Sequence, residues 1–296
     1  MTRRNRLFRV LGIGILCVLI ALSAQAQTAR ILVVGDSWTP AMVSRIQSVL
    51  DGRGLGDNLV VGGTTTLWGT HAAQWATPGN LLLIEQELSN NPTIDIVHLS
   101  MGGNDYLGAV PGTPEALAAL IEQVFDDIDT VVAHILSIRP NARVALCSYD
   151  YVADQGHNDA LGVMVQEAIA RTATNPNYYC INNIGLMHYT YGYPGEFGPG
   201  ETPLPGGYPV YDPLLGGDPS LPGPPEALAD SIHLTGAAYL VLAERCVDEF
   251  YADWLTGVEE PVPVGSKVHF VLLMAMCTLA GVCLIRRRTR TVTLSM

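Results

Sequence analysis

A chain of 296 residues with 48 % hydrophobic and 15 % charged side chains is too apolar to remain disordered, and long enough for one sizeable core. The net charge of −12 understates its imbalance, because residues 27–266 hold all 28 acidic side chains against seven arginines and no lysine. A surface of that sign repels phosphate backbones and argues against nucleic acid as a partner.

Residues 1–26 set Arg3, Arg4, Arg6 and Arg9 before an apolar stretch at 10–22 and close on Ala24-Gln25-Ala26. That is the layout of a secretory signal peptide cut after Ala26, with an uncleaved anchor as the alternative. Ile31-Leu32-Val33-Val34 then reads as a buried strand running into the turn Gly35-Asp36-Ser37. Thr39-Pro40 opens a helix to about Leu50, and 58–61 is a second strand running into Gly62-Gly63-Thr64-Thr65. Residues 80–90 read as a helix, and 94–99 as a strand that stops at Ser100-Met101-Gly102-Gly103-Asn104-Asp105. Thr113-Pro114 has the form of an N-cap followed by proline at the first helical position, and apolar residues keep helical spacing from Leu117 to Leu136. A strand at 143–147, a helix at 159–172 and a strand at 178–181 follow. Residues 189–225, rich in Gly, Pro and Tyr, break the rhythm and read as a long loop over the strand ends, where Tyr189, Tyr191 and Tyr193 could form an aromatic platform. The last helix runs from about Gly236 to Trp254, with Leu240, Ala243, Val247, Phe250 and Trp254 on one stripe. Strands alternating with helices at these lengths predict an α/β fold, with right-handed crossovers and a parallel sheet covered on both faces.

Beyond a linker at 258–267, residues 268–296 carry an apolar run at 270–285, at the short limit for a membrane span, closed by Arg286-Arg287-Arg288 and Arg290. Proline-flanked motif, span and basic cluster resemble the C-terminal sorting tails of the PEP-CTERM kind, with Pro261-Val262-Pro263 where that signature has Pro-Glu-Pro. The resemblance implies a sorting protease acting on the tail; a plain C-terminal anchor is the simpler reading. Either places residues 27–257 outside the cytoplasmic membrane, in the periplasm or at the cell surface, attached by the tail or released after processing. Of that part's cysteines, Cys147, Cys180 and Cys246, two could form one disulfide. Their odd number and spacing argue against a metal site.

Four landmarks fall on one edge of the predicted sheet: Ser37 after the first strand, Gly62-Gly63 after the second, Asn104 after the third, and Asp230 with His233 before the last helix. Acyl transfer needs such a set. A serine hydroxyl attacks only when a base takes its proton, an imidazole base needs an acceptor on its other nitrogen, and the oxyanion needs donors aimed at it. A second Asp-x-x-His, Asp154 to His157, follows the fourth strand and stands as the alternative pair. His98 reads as a core histidine.

Gly35-Asp36-Ser37, Gly62, Gly102-Gly103-Asn104-Asp105 and Asp230-Ser231-Ile232-His233 resemble, in order and spacing, the four blocks of the SGNH or GDSL-type hydrolases. Trp38 stands where that family has an aliphatic residue, and Ser231 where it often has glycine. The resemblance implies a flavodoxin-like three-layer α/β/α sandwich around a five-stranded parallel sheet, and ester hydrolysis with no metal or other cofactor. It implies Ser37 as nucleophile, His233 as base and Asp230 as its orienting acid. The oxyanion hole would be the Ser37 N–H, a glycine N–H and the Asn104 side chain, with Gly62 preferred over Gly63 for its offset from Thr64-Thr65. A small ester, an acylated glycan or a lipid would each serve as substrate. A surface-displayed binding module on the same fold, no longer catalytic, is the alternative.

Overall fold

The structure, a computed structural model, describes residues 27–107, 112–192 and 221–257. The expected signal peptide, the sorting tail with its span, Tyr193 and most of the 189–225 loop lie outside the described residues. Among the described residues no helix is long and apolar enough to cross a membrane.

Five strands form the core: β1 (Thr28–Gly35), β2 (Asn58–Val61), β3 (Ile96–Ser100), β4 (Arg143–Cys147) and β5 (Tyr178–Ile181). They lie in the order β2-β1-β3-β4-β5 and all pairs are parallel. Strands of such a sheet are covered on both faces, which is why Ile31 to Gly35 and every residue of β3 are buried without alternation. Between them run α1 (Thr39–Gly52), α2 (Ala72–Trp75), α3 (Pro78–Asn90), α4 (Gly103–Leu107), α5 (Pro114–Ile138), α6 (Gln155–Thr172) and α7 (Leu186–Tyr191), with α8 (Gly236–Cys246) and α9 (Ala252–Thr256) closing the chain. The connection β1–α1–β2 runs one way along the sheet and those from β3 to β5 run the other. Right-handed crossovers therefore put α1, joined by α8, on one face and α3, α5 and α6 on the other. The direction switches between β1 and β3, and a crevice opens there beyond the carboxyl ends of the strands.

Helix α5 shows how closely composition dictates an element. Thr113 caps it by accepting a hydrogen bond from the Ala116 N–H at 3.2 Å, proline fills its first position, and Ile121, Val124, Phe125, Ile128, Val132 and Ile135 form one buried stripe. Helix α6 starts four residues earlier than expected because Asp154 caps it.

The closing helix departs from the expected stripe. After Cys246 a single π turn, Val247–Tyr251, interrupts it and rotates the face. Tyr251, not Phe250 or Trp254, is fully buried, and its hydroxyl lies 2.7 Å from Nδ1 of the equally buried His98 in β3. The extra residue in the turn lets the chain seat that hydroxyl on the imidazole, which a strict 3.6-residue period would not.

Candidate active site

Ser37 sits two residues beyond β1, nearly buried, at the head of α1. His233 reaches it from the segment before α8, with Nε2 2.9 Å from Ser37 Oγ. Asp230 Oδ2 lies 2.8 Å from His233 Nδ1. A carboxylate only accepts, so Nδ1 carries the ring proton and Nε2 is left to accept from the hydroxyl. Asp230 Oδ1 meanwhile accepts from the backbone N–H groups of Ile232 (2.8 Å) and His233 (2.7 Å). The His233 N–H, outweighing a partial loss of water, and then the Ile232 N–H and the imidazole hold the Asp230 carboxyl down at about 2. One acidic side chain thus both shapes the turn and orients the ring that the turn carries.

The other Asp-x-x-His uses its carboxylate differently. Asp154 Oδ1 accepts from the N–H groups of Gly156 (2.8 Å) and His157 (3.3 Å) at the head of α6, and lies 3.6 Å from His157 Nδ1. It is a helix cap, and the His157 ring lines a wall of the cleft rather than reaching Ser37 Oγ.

Asn104 lies in the first turn of α4, and its Nδ2 donates to the Thr70 carbonyl at 2.9 Å, leaving the second amide hydrogen to the cleft. Next to it, Asp105 accepts from the Ala72 N–H at 3.0 Å. The segment after β2 is thereby tied to the loop after β3.

Gly62 packs against the first strand. The register pairs Leu32 with Val61, so Gly62 stands level with Val33, two residues short of the end of β1 at Gly35. A methyl group added to it would meet the Val33 carbonyl oxygen at 2.9 Å, and Val43 and Thr66 within 3.2 Å. Its lack of a side chain serves packing between β1 and α1. Gly63 is exposed with open space around it. The chain beyond it continues alongside β1: Thr66 bridges to Gly35, the Leu67 N–H donates to the Gly35 carbonyl at 2.8 Å, and the Trp68 ring comes to rest 5.5 Å from that of His233. Gly69, with φ +68°, is the glycine between the residue against His233 and the residue bound to Asn104. The sequence is silent here because the strand pattern ends at Val61, while the chain runs on to Thr65 and Thr66 before it meets Gly35 at the end of β1.

Two aromatic residues without a sequence signal complete the cleft. Tyr149, just past β4, donates its hydroxyl to Asp36 Oδ2 in a short hydrogen bond, and Asp36 Oδ1 accepts from the Trp38 N–H at 3.1 Å. The Tyr149 ring lies so close beneath Gly103 that a methyl group there would meet it at 2.6 Å. Trp38 packs edge-on against Tyr149 and Tyr239, with centroids 5.1 and 5.6 Å away, and so serves the core. Together with Tyr106, Leu107, Val152 and Leu161, Trp38 and Tyr149 wall a narrow, mainly apolar cleft that opens on Ser37 and Asn104.

Burial pushes the Asp36 carboxyl up to about 6, against the opposing hydrogen bonds from Tyr149 and Trp38. A folded-state value above the unfolded 3.8 means that the native state holds the proton more tightly. Its contribution to stability is complete below about pH 4 and lost as pH rises through about 6. Asp36→Asn keeps an acceptor for Tyr149 without the charge. Relative to that variant, the wild type is expected to lose about 2 kcal/mol of unfolding free energy between pH 4 and 7, measured by urea titration. Parallel stability curves would refute it.

Among the described residues one group brings three metal-capable donors together: His98, Cys147 and Cys246, with ligand atoms within 4.8 Å of one another and all buried. The two sulfurs are 3.5 Å apart and no disulfide joins them. None of the three lines the cleft at Ser37. Sequence spacing did not reveal them because three different elements supply them.

No family model and no curated protein matches the chain. Solved structures do. A lipase from a goat rumen metagenome superposes with a TM-score of 0.51 at 12 % identity, over 76 % of this chain and 98 % of that one. A family 3 carbohydrate esterase of Clostridium thermocellum gives 0.46 at 15 % identity, over 79 % and 100 %, and a lipase/acylhydrolase of Enterococcus faecalis gives 0.45 at 19 %, over 76 % and 96 %. At such identities the likeness is one of fold alone: a five-stranded parallel sheet covered by helices on both faces, an α/β fold.

Proposed function

We propose that this protein is a serine hydrolase that cleaves carboxylic esters through an acyl-enzyme. The observation that carries the reading is the unbroken hydrogen-bond chain from Ser37 Oγ through the His233 ring to Asp230. Ser37 Oγ attacks the ester carbonyl carbon while Nε2 takes its proton. The imidazolium, stabilised by the Asp230 charge, returns that proton to the departing alcohol and leaves the acyl group on Ser37. Water then repeats the sequence, freeing the carboxylic acid and restoring the hydroxyl. The oxyanion is met by the N–H of Ser37, the Asn104 amide and a glycine N–H of the segment after β2. The lipase and esterases that share the fold accord with this chemistry. A non-catalytic binding module would have no use for a base held on a hydroxyl and oriented by a carboxylate. Export and attachment through the tail rest on residues 1–26 and 261–296.

An activity-independent test is covalent labelling. A fluorophosphonate reacts with a serine only when its hydroxyl is activated, so the full-length protein is expected to gain one adduct, mapped by peptide mass spectrometry to Ser37. An unlabelled Ser37 in folded protein would sink the proposal in favour of the binding module. Followed through cell fractionation, the same label belongs with the envelope or the medium, and its recovery in the cytosol would refute export.

A further inference from the structure

Trp68 is the most exposed of the large apolar side chains among the described residues, at 69 %. Leu82 in α3 and Val163 in α6, the other two, sit on helices away from the strand ends. A single exposed apolar residue needs no explanation by itself. This one is held in place against the base.

Its ring centroid lies 5.5 Å from that of His233, tilted by 49°. The backbone on either side is anchored: Leu67 donates to Gly35 at 2.8 Å, the Thr70 hydroxyl donates to the Leu67 carbonyl at 2.9 Å and receives the indole N–H of the buried Trp75 at 2.9 Å, and the Thr70 carbonyl is held by Asn104. An indole on so constrained a loop has lost much of its freedom before any ligand arrives.

We infer that Trp68 is the platform for the leaving alcohol, and that the alcohol it fits is a carbohydrate. The inference rests on the serine-hydrolase reading above. In that reaction His233 Nε2 hands its proton to the departing oxygen, which must then lie within hydrogen-bond reach of it. The acyl chain takes the apolar cleft walled by Tyr106, Tyr149, Val152 and Leu161, which Trp68 does not line. The group attached to the departing oxygen therefore leaves past the other flank of the imidazole, over the indole face. A flat, exposed indole suits the C–H face of a pyranose ring, whose hydroxyls stay in water at the rim.

Two observations separate a sugar from a lipid surface. A lipid-docking edge would carry a cluster of exposed apolar residues; among the described residues Trp68 is the one large exposed apolar side chain outside the helices, in a polar stretch with Thr64, Thr66, Thr70, His71 and Gln74. The surplus of carboxylates across residues 27–257 would also repel anionic headgroups and phosphates, but is indifferent to a neutral glycan.

The test compares three butyrate esters in the full-length protein and in Trp68→Ala: a 6-O-butyryl methyl glucoside, ethyl butyrate and emulsified tributyrin. The ratio of kcat/KM for the glucoside over ethyl butyrate is expected to fall at least tenfold in the alanine variant, chiefly through KM, and to be restored by Trp68→Tyr. A ratio that does not move would overturn the inference, as would a loss confined to the emulsion, which would assign Trp68 to a lipid interface. Fluorophosphonate labelling of Ser37 is run alongside. If the wild type labels and the ratio is unmoved, the platform fails alone; if the wild type does not label, the hydrolase reading fails first.

Discussion

Ser37→Ala and His233→Ala are each expected to lower kcat/KM for a short acyl ester by about 10⁴- to 10⁶-fold, and the double variant by no more than either. In the proposed mechanism the two side chains act as one device: without the imidazole the hydroxyl would keep its proton, and without the hydroxyl the imidazole would have nothing to activate. Asp230→Asn should cost about 10⁴-fold, because an amide in place of the carboxylate can donate to Nδ1 and favour the wrong tautomer. In the structure Asp230 is the acceptor at 2.8 Å, and two backbone N–H groups hold it in that role. Single-turnover measurements on the four variants, with circular dichroism to show an intact fold, check the result. Additive losses in the double variant would mean that the pair does not work as a unit.

Gly35→Ala is expected to be the most damaging substitution in the chain for folding, through the backbone rather than the chemistry. Gly35 has φ +148°, which an L side chain rarely adopts, and an added methyl group would lie 1.8 Å from the Ser100 carbonyl oxygen and 2.9 Å from Thr39. No relaxation of a side chain removes a clash with the backbone of a central strand. That strand is moreover held in place, since Ser100 accepts from the Asp36 N–H at 3.0 Å and β1 pairs with β3 along its length. The loss should be about 4 kcal/mol or more, enough to leave much of the protein unfolded or insoluble. Gly63→Ala is the control: its surroundings are open and its φ is ordinary, so its cost should stay within about 1 kcal/mol. Thermal denaturation of both variants, with the wild type alongside, decides the matter. A soluble, stable Gly35→Ala protein would contradict the geometry.

The glycine of the Gly-Asp-Ser turn also shows what a sequence reading carries and where it stops. Strands β2, β4 and β5 and the long amphipathic α5 were legible because burial writes itself into local pattern: continuous apolar runs for covered strands, a 3.6-residue stripe for the helix. Ser37, Asn104, Asp230 and His233 were legible because each ends or begins an element on one edge of the sheet. Where Gly62 stands was not legible, for the opposite reason. Its neighbourhood depends on how far the chain runs beyond β2 before turning back, which no local pattern encodes. Tyr149 and Trp68 carry no motif at all; their importance lies in Asp36 and His233, residues distant in sequence. The π turn at Val247–Tyr251 was hidden because one inserted residue looks like any other until its partner, His98, is known.

Ser37 belongs to the first turn after the first strand, and His233 lies 196 residues later, just before the helix that packs on α1. Contacts of such separation close late, after the sheet between them has assembled. On the mechanism proposed, a partly made or partly folded chain carries the hydroxyl without its base and would be inert toward esters. Turnover would then begin with the docking of α8 and serve as a readout of complete assembly.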